Sequence, residues 1–143
     1  MSELPKRLQE IVEEFAICEG QEKLQHLLYY AEQLEPLPDW LSDRRDEMEE
    51  VHECMTPVYI HAERRRDGLD FYFDVPAESP TVRGFASFLS QGTGGATPEE
   101  VLAIPANFFL ATGLNQVLSV QRMSGLSSIL AHMKRLAAGQ LSA

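Results

Sequence analysis

No apolar stretch in this sequence approaches the eighteen or more residues that a membrane-spanning helix requires. The expected setting is therefore away from the bilayer. Residues 1–14 mix charged and apolar side chains and lack the apolar block of a signal peptide, which makes a cytoplasmic protein the expectation. Basic residues are also scarce: 12 Lys and Arg stand against 22 Asp and Glu, a formal charge of −10. A main partner of nucleic acid would need a basic face, so that class is excluded. Cysteine is rarer still, with Cys18 and Cys54 the only two. Two thiols build neither a disulfide framework nor a four-thiolate metal site, and a reducing compartment disfavours joining them to each other. The four histidines, His26, His52, His61 and His132, are scattered and lack the close His/Cys/acid spacing of a zinc site. His26 and His132 are expected at the surface or boundary of helices. No internal repeat and no low-complexity segment is present.

What remains is the composition of an ordinary globular protein, 44% apolar and 24% charged in 143 residues. That length suits one domain spanning 1–143 with a core of its own. Leu4, Leu8, Ile11, Val12 and Phe15 line one helical face, with Gly20 as the expected helix end. Leu24, Leu27, Leu28 and Ala31 form a second stripe, stopped by Pro36 and Pro38. The charged stretch 43–53 reads as a loop or short helix entering a strand near Val51. Val58, Ile60 and Ala62 then alternate with Tyr59 and His61. Leu69, Phe71, Phe73 and Val75 alternate with Asp70, Tyr72 and Asp74, and Asp67-Gly68 between the two runs signals a hairpin.

Helices resume after Pro76. Ser79 and Pro80 suit a helix start, and Val82, Phe85, Ala86 and Leu89 make the stripe. A glycine-rich turn is expected over 91–96. Thr97-Pro98-Glu99-Glu100 carries a capping box, and its helix should end before Pro105. A further helix is expected from about Asn107 to Gly113, and the last one from near Ser119 with Leu126, Ile129, Leu130 and Met133 inward. The fold class is α+β: a small antiparallel sheet built on a central hairpin, packed by an N-terminal helix pair and C-terminal helices.

Few residues stand out chemically. Gly92, Gly94 and Gly95 lack the lysine and hydroxyl residue of a phosphate loop and follow no parallel strand. Cys18 reads as a packing or partly exposed helix residue. Cys54 sits between two extended stretches, shortly before Pro57, and spacing leaves two readings open. One is a small buried hydrophobe; the other is a thiol presented to a partner, able to attack the terminal sulfur of a persulfide. Glu49, Glu50 and Glu53 would lower the thiolate fraction if close, whereas His52 or an arginine would raise it.

Together these marks resemble the SufE family of sulfur acceptors. Leu34-Glu35-Pro36-Leu37-Pro38 follows a paired-helix start, and 51–59, Val-His-Glu-Cys-Met-Thr-Pro-Val-Tyr, matches the family's cysteine segment. The hairpin leads to Arg83-Gly84, then to the segment Thr97 to Leu102, Phe108-Phe109 and Gly113-Leu114. Leu118-Ser119, Arg122 and Gly125-Leu126 open the last helix. The resemblance runs from about residue 5 to residue 137.

It implies that Cys54 receives sulfur as a persulfide from a pyridoxal-phosphate cysteine desulfurase of the SufS type, stimulates that enzyme, and delivers sulfur to a Suf scaffold for iron–sulfur cluster assembly. It implies no metal or organic cofactor on this chain, which is expected to be a monomer on its own. It also implies a loop-holding role for Arg122, and Thr56 and His52, as neighbours of the cysteine, are expected to support the loop with it. Three positions depart from the family pattern: Glu53 for glycine, Thr56 for serine and Tyr59 for tryptophan. A glycine permits turns that glutamate resists, so a different loop turn is expected, with the reactivity of Cys54 set when a partner docks. Two other classes compete: a cluster scaffold, which one cysteine in the right segment serves poorly, and a thiol-independent interaction module.

Overall fold

A computed structural model describes residues 4–53 and 56–141. Helices α1 (Lys6–Ile17) and α2 (Gln21–Glu32) form the N-terminal pair, followed by the short α3 (Asp39–Ser42). Strands β1 (Glu49–Glu50), β2 (Tyr59–Arg65) and β3 (Gly68–Asp74) make one antiparallel sheet in the order β1-β2-β3. Helices α4 (Pro80–Thr93), α5 (Pro98–Leu102) and α6 (Val120–Leu141) complete the chain, with 3-10 turns at Phe108–Thr112 and Leu114–Gln116 between the last two.

The hairpin follows from alternation. Ile60 and Ala62 on β2 and Leu69, Phe71 and Phe73 on β3 are buried, while their neighbours face outward. Arg65 pairs with Gly68, so the two-residue loop is Arg66-Asp67, one position earlier than expected, and Gly68 already belongs to β3. Arg66 takes the positive φ of 54° that such a tight loop needs. On the outer face, Trp40 of α3 lies edge-on to Tyr72 at 5.4 Å and to His61 at 5.8 Å.

Helix α4 is the hub. Every residue from Gly84 to Leu89 is buried, which marks a helix surrounded on all sides rather than an amphipathic surface one. It packs on α1 and α2, on β3 and on α6, so the N-terminal pair reaches the sheet mainly through α4. Gly84 makes the α2–α4 approach possible: a Cβ there would stand 2.6 Å from Leu27 Cδ1 and 2.7 Å from the Leu27 carbonyl oxygen.

Several local expectations shift. Gly20 does not close α1, which ends at Ile17 with Cys18 already extended; at φ 53° it opens α2 instead. The buried stripe of α2 is Lys23, Leu27, Tyr30 and Ala31, not the run through Leu24 and Leu28. Lys23 is only 4% exposed because its Nζ donates to the carbonyl oxygens of Phe15 (2.6 Å) and Thr112 (3.0 Å). The expected turn over 91–96 is shorter, since α4 continues to Thr93. The region after Asn107 is a 3-10 turn rather than an α-helix, closed by Gly113 at φ 74°. The capping box on α5 is present in both directions.

Candidate functional site

Cys54 and Met55 lie outside the described residues. The chain on either side of them is held from three directions. Val51 and Val58, both buried, close the base of the β1–β2 connection: the Val51 N–H donates to the Val58 carbonyl oxygen at 2.9 Å. This bond continues the ladder that pairs Glu50 with Tyr59. The loop is thus a hairpin end rooted in the core, and its polar residues are left to other elements.

After the cysteine, the Thr56 hydroxyl lies 2.9 Å from the Ser79 hydroxyl at the start of α4. Ser79 was expected to cap α4, yet it makes no side-chain cap bond. Its side chain is turned to the loop. Arg122 on α6 donates from Nη1 to Thr81 Oγ1 at 3.1 Å, on the same first turn of α4. Thr56 and Arg122 therefore both bond to the start of one helix. Arg83 secures that start as well, donating to the Val75 carbonyl oxygen at 2.8 Å.

Before the cysteine, Glu53 Oε1 stands 2.9 Å from His132 Nε2 on α6, and Glu49 Oε2 bonds the other ring nitrogen, Nδ1. His132 is 8% exposed, which corrects the expectation of a surface or boundary residue. Burial works against its charged form, but the hydrogen bonds to Glu49 and Glu53 and their charges outweigh it and raise its pKa above the ordinary histidine value. The His132 bond in turn holds Glu53 below the usual carboxylate range. His52 points outward, with Nδ1 3.8 Å from Glu50 Oε2.

The departure at Glu53 has a local explanation. Among the described residues Arg66 is the only non-glycine with positive φ, so Glu53 sits in backbone that any residue adopts. No glycine is needed at that position, and the longer side chain is used to reach α6. His132 lay one step beside the Ile129–Met133 stripe of the last helix. That position was the available signal, but its partners, about eighty residues earlier in the chain, were not readable from spacing.

The cavities offer less chemistry. A groove of about 590 Å³ between α2 and the start of α4 is lined by Leu28, Tyr29, Pro80 and Arg83 among others, and its arginine is the one already bonded to Val75. No group of three or more His, Cys, Asp or Glu among the described residues could hold a metal ion. No helix among the described residues is long and apolar enough to cross a membrane. Cys18 is half-buried at the end of α1, with Sγ 3.4 Å from the Glu14 carbonyl oxygen.

Several known proteins are similar to this chain. Residues 9–137 match the SufE family, described as an Fe-S metabolism associated domain. An uncharacterised SufE-like protein of Mycobacterium tuberculosis is 39% identical over 133 residues, 92% of each chain. A cysteine desulfuration protein SufE of Plasmodium vivax is 25% identical over 114 residues, covering 78% of this chain and 44% of that one. The solution structure of a hypothetical protein from Thermus thermophilus superposes with a TM-score of 0.86 at 34% identity, over 98% of this chain and 99% of the other. By sequence over nearly its full length, and by a fold that matches a solved structure at 34% identity, this chain belongs to the SufE family.

Proposed function

We propose that this protein is a sulfur acceptor and carrier whose Cys54 takes persulfide sulfur from a pyridoxal-phosphate cysteine desulfurase of the SufS type. The Cys54 thiolate attacks the terminal sulfur of the desulfurase persulfide. The S–S bond breaks, the desulfurase cysteine leaves as a thiolate, and Cys54 carries the persulfide. One S–S bond replaces another, so the step needs no external oxidant or reductant. Clearing the persulfide frees the desulfurase for another turnover, which is how the protein stimulates it. The sulfur then passes to a Suf scaffold for cluster assembly.

The observation that carries this reading is the bracing of the cysteine loop. Glu53, immediately before Cys54, is bonded to α6, and Thr56, two residues after it, is bonded to the start of α4. A transfer thiol needs such support, because positioning against a partner's sulfur is lost to chain entropy if the loop is free. Thr56 and Arg122 serve as positioning residues, both through the first turn of α4. His52 is an outward cation, when protonated, on the loop's exposed side.

The test is intact mass spectrometry after incubation with a cysteine desulfurase and L-cysteine. Wild type and Cys18→Ser are expected to gain about one sulfur atom, and Cys54→Ser none. If Cys54→Ser gains sulfur as wild type does, or if none of the three gains it with a desulfurase that binds the protein, the acceptor reading is wrong and a thiol-independent interaction module takes its place.

A further inference from the structure

His132 joins three parts of the molecule: α6, which carries it, β1 through Glu49, and the cysteine loop through Glu53. A buried imidazole has two ring nitrogens to satisfy. Glu49, whose side chain is 20% exposed, satisfies Nδ1. The second carboxylate comes from a largely solvent-facing side chain, 60% exposed, on the residue that precedes Cys54. The second bond ties the buried ring to the solvent-facing side of the loop.

We propose that His132 is a positioning residue for the Cys54 thiol, holding the Glu53 carboxylate against α6 and balancing its charge so that it does not suppress the neighbouring thiolate. The inference rests on Cys54 as the acceptor, but the property it concerns can be measured without any sulfur donor.

The proton inventory supports it. Neutral imidazole has one N–H, whereas imidazolium has two. Both ring nitrogens of His132 face carboxylate oxygens, so only the imidazolium satisfies both. The charged groups bearing on this site are Glu49 from β1, Glu53 and His52 from the loop, and Arg135 from α6, whose Nε is 3.8 Å from Glu49 Oε1. Arg135 shares Glu49 with His132, and for Glu53 the hydrogen-bonded cation is His132, with His52 a weaker charge nearby. An unbalanced carboxylate next to a thiol raises the thiol's pKa and lowers its thiolate fraction. When His132 loses its proton it can donate to only one carboxylate. The more exposed Glu53 is the one that solvates, and its charge is then uncovered on the residue that precedes Cys54 in sequence.

The test is the rate of Cys54 alkylation by iodoacetamide from about pH 5.5 to about pH 9.5, resolved by peptide mass spectrometry so that Cys18 is read separately. His132→Gln is expected to slow Cys54 at neutral pH by about threefold to tenfold, as a rise of roughly half to one pKa unit would. Glu53→Gln added to His132→Gln is expected to restore the rate to within about twofold of wild type. A merely structural histidine would not be rescued by removing a surface carboxylate. No slowing in His132→Gln, or no recovery in the double variant, overturns the proposal. If His132→Gln does not fold, the wild-type profile decides. Its rise should flatten across the His132 titration followed by NMR, and one uninterrupted slope through that range overturns the proposal. A protein that meets these expectations yet gains no sulfur from a desulfurase retains the His132–Cys54 coupling and refutes only the acceptor reading.

Discussion

Thr56 Oγ1 stands 2.9 Å from Ser79 Oγ, so the residue just before α4 bonds the cysteine loop instead of capping the helix. Because this is one hydrogen bond with two owners, Thr56→Val and Ser79→Ala should not add. Each is expected to slow sulfur uptake by about twofold to fivefold, and the double variant no further. Quenched-flow mass spectrometry of persulfide formation measures this. Multiplying losses would show that the two hydroxyls act separately.

Stability should depend on pH through His132. Its folded pKa is raised, so its contribution is complete below the unfolded value of about 6.5 and is lost as pH rises through the folded pKa. Urea midpoints are expected to fall from about pH 6 to about pH 9 in wild type, and to fall less in His132→Gln. Glu14, half-exposed on α1, acts in the opposite sense. Burial opposes its ionisation, but bonds from Tyr30, His26 and Arg7 prevail and lower its pKa, so its contribution is lost as pH falls through the folded value. A midpoint that does not move between neutral and alkaline pH would remove His132 from this account.

Gly84→Ala tests the α2–α4 contact. The added Cβ would meet the Leu27 side chain and also its backbone oxygen, which cannot swing aside. A loss of about 1–3 kcal/mol is expected by urea denaturation, despite the better helix propensity of alanine. A gain in stability would mean that the two helices can separate at little cost.

Lys23→Met tests the buried amine. Methionine fills the same path but leaves the Phe15 and Thr112 carbonyl oxygens without the donor they share. About 1–3 kcal/mol should be lost, the penalty of unsatisfied buried acceptors. Equal stability would mean that water replaces the amine.

Much of the secondary structure was legible because it rests on local rules. The alternation Leu69-Phe71-Phe73 against Asp70-Tyr72-Asp74 can bury only one face of a strand, and the Thr97–Glu100 box can form within one helical turn. Local rules misled where a polar group was buried with a distant partner. Lys23 displaced Leu24 and Leu28 from the core stripe of α2 because its amine bonds the carbonyl of Thr112, 89 residues away. Ser79 looked like a cap and is a tie to Thr56. His132 looked like a boundary residue and is buried between two glutamates.

Sequence alone determined the fold class, the hairpin, the boundaries of α5 and the family, because apolar periodicity, turn chemistry and the order of short motifs are all written along the chain. It also singled out Cys54 and the acidic residues beside it. Only the tertiary structure decided what those acids do. Glu53 reads as a carboxylate that would suppress a thiolate until α6 folds back and places His132 within 2.9 Å of it. The physical reason is that a charge acts through its nearest neighbours in space, and these come from residues about eighty positions apart, a separation at which sequence pattern carries no distance.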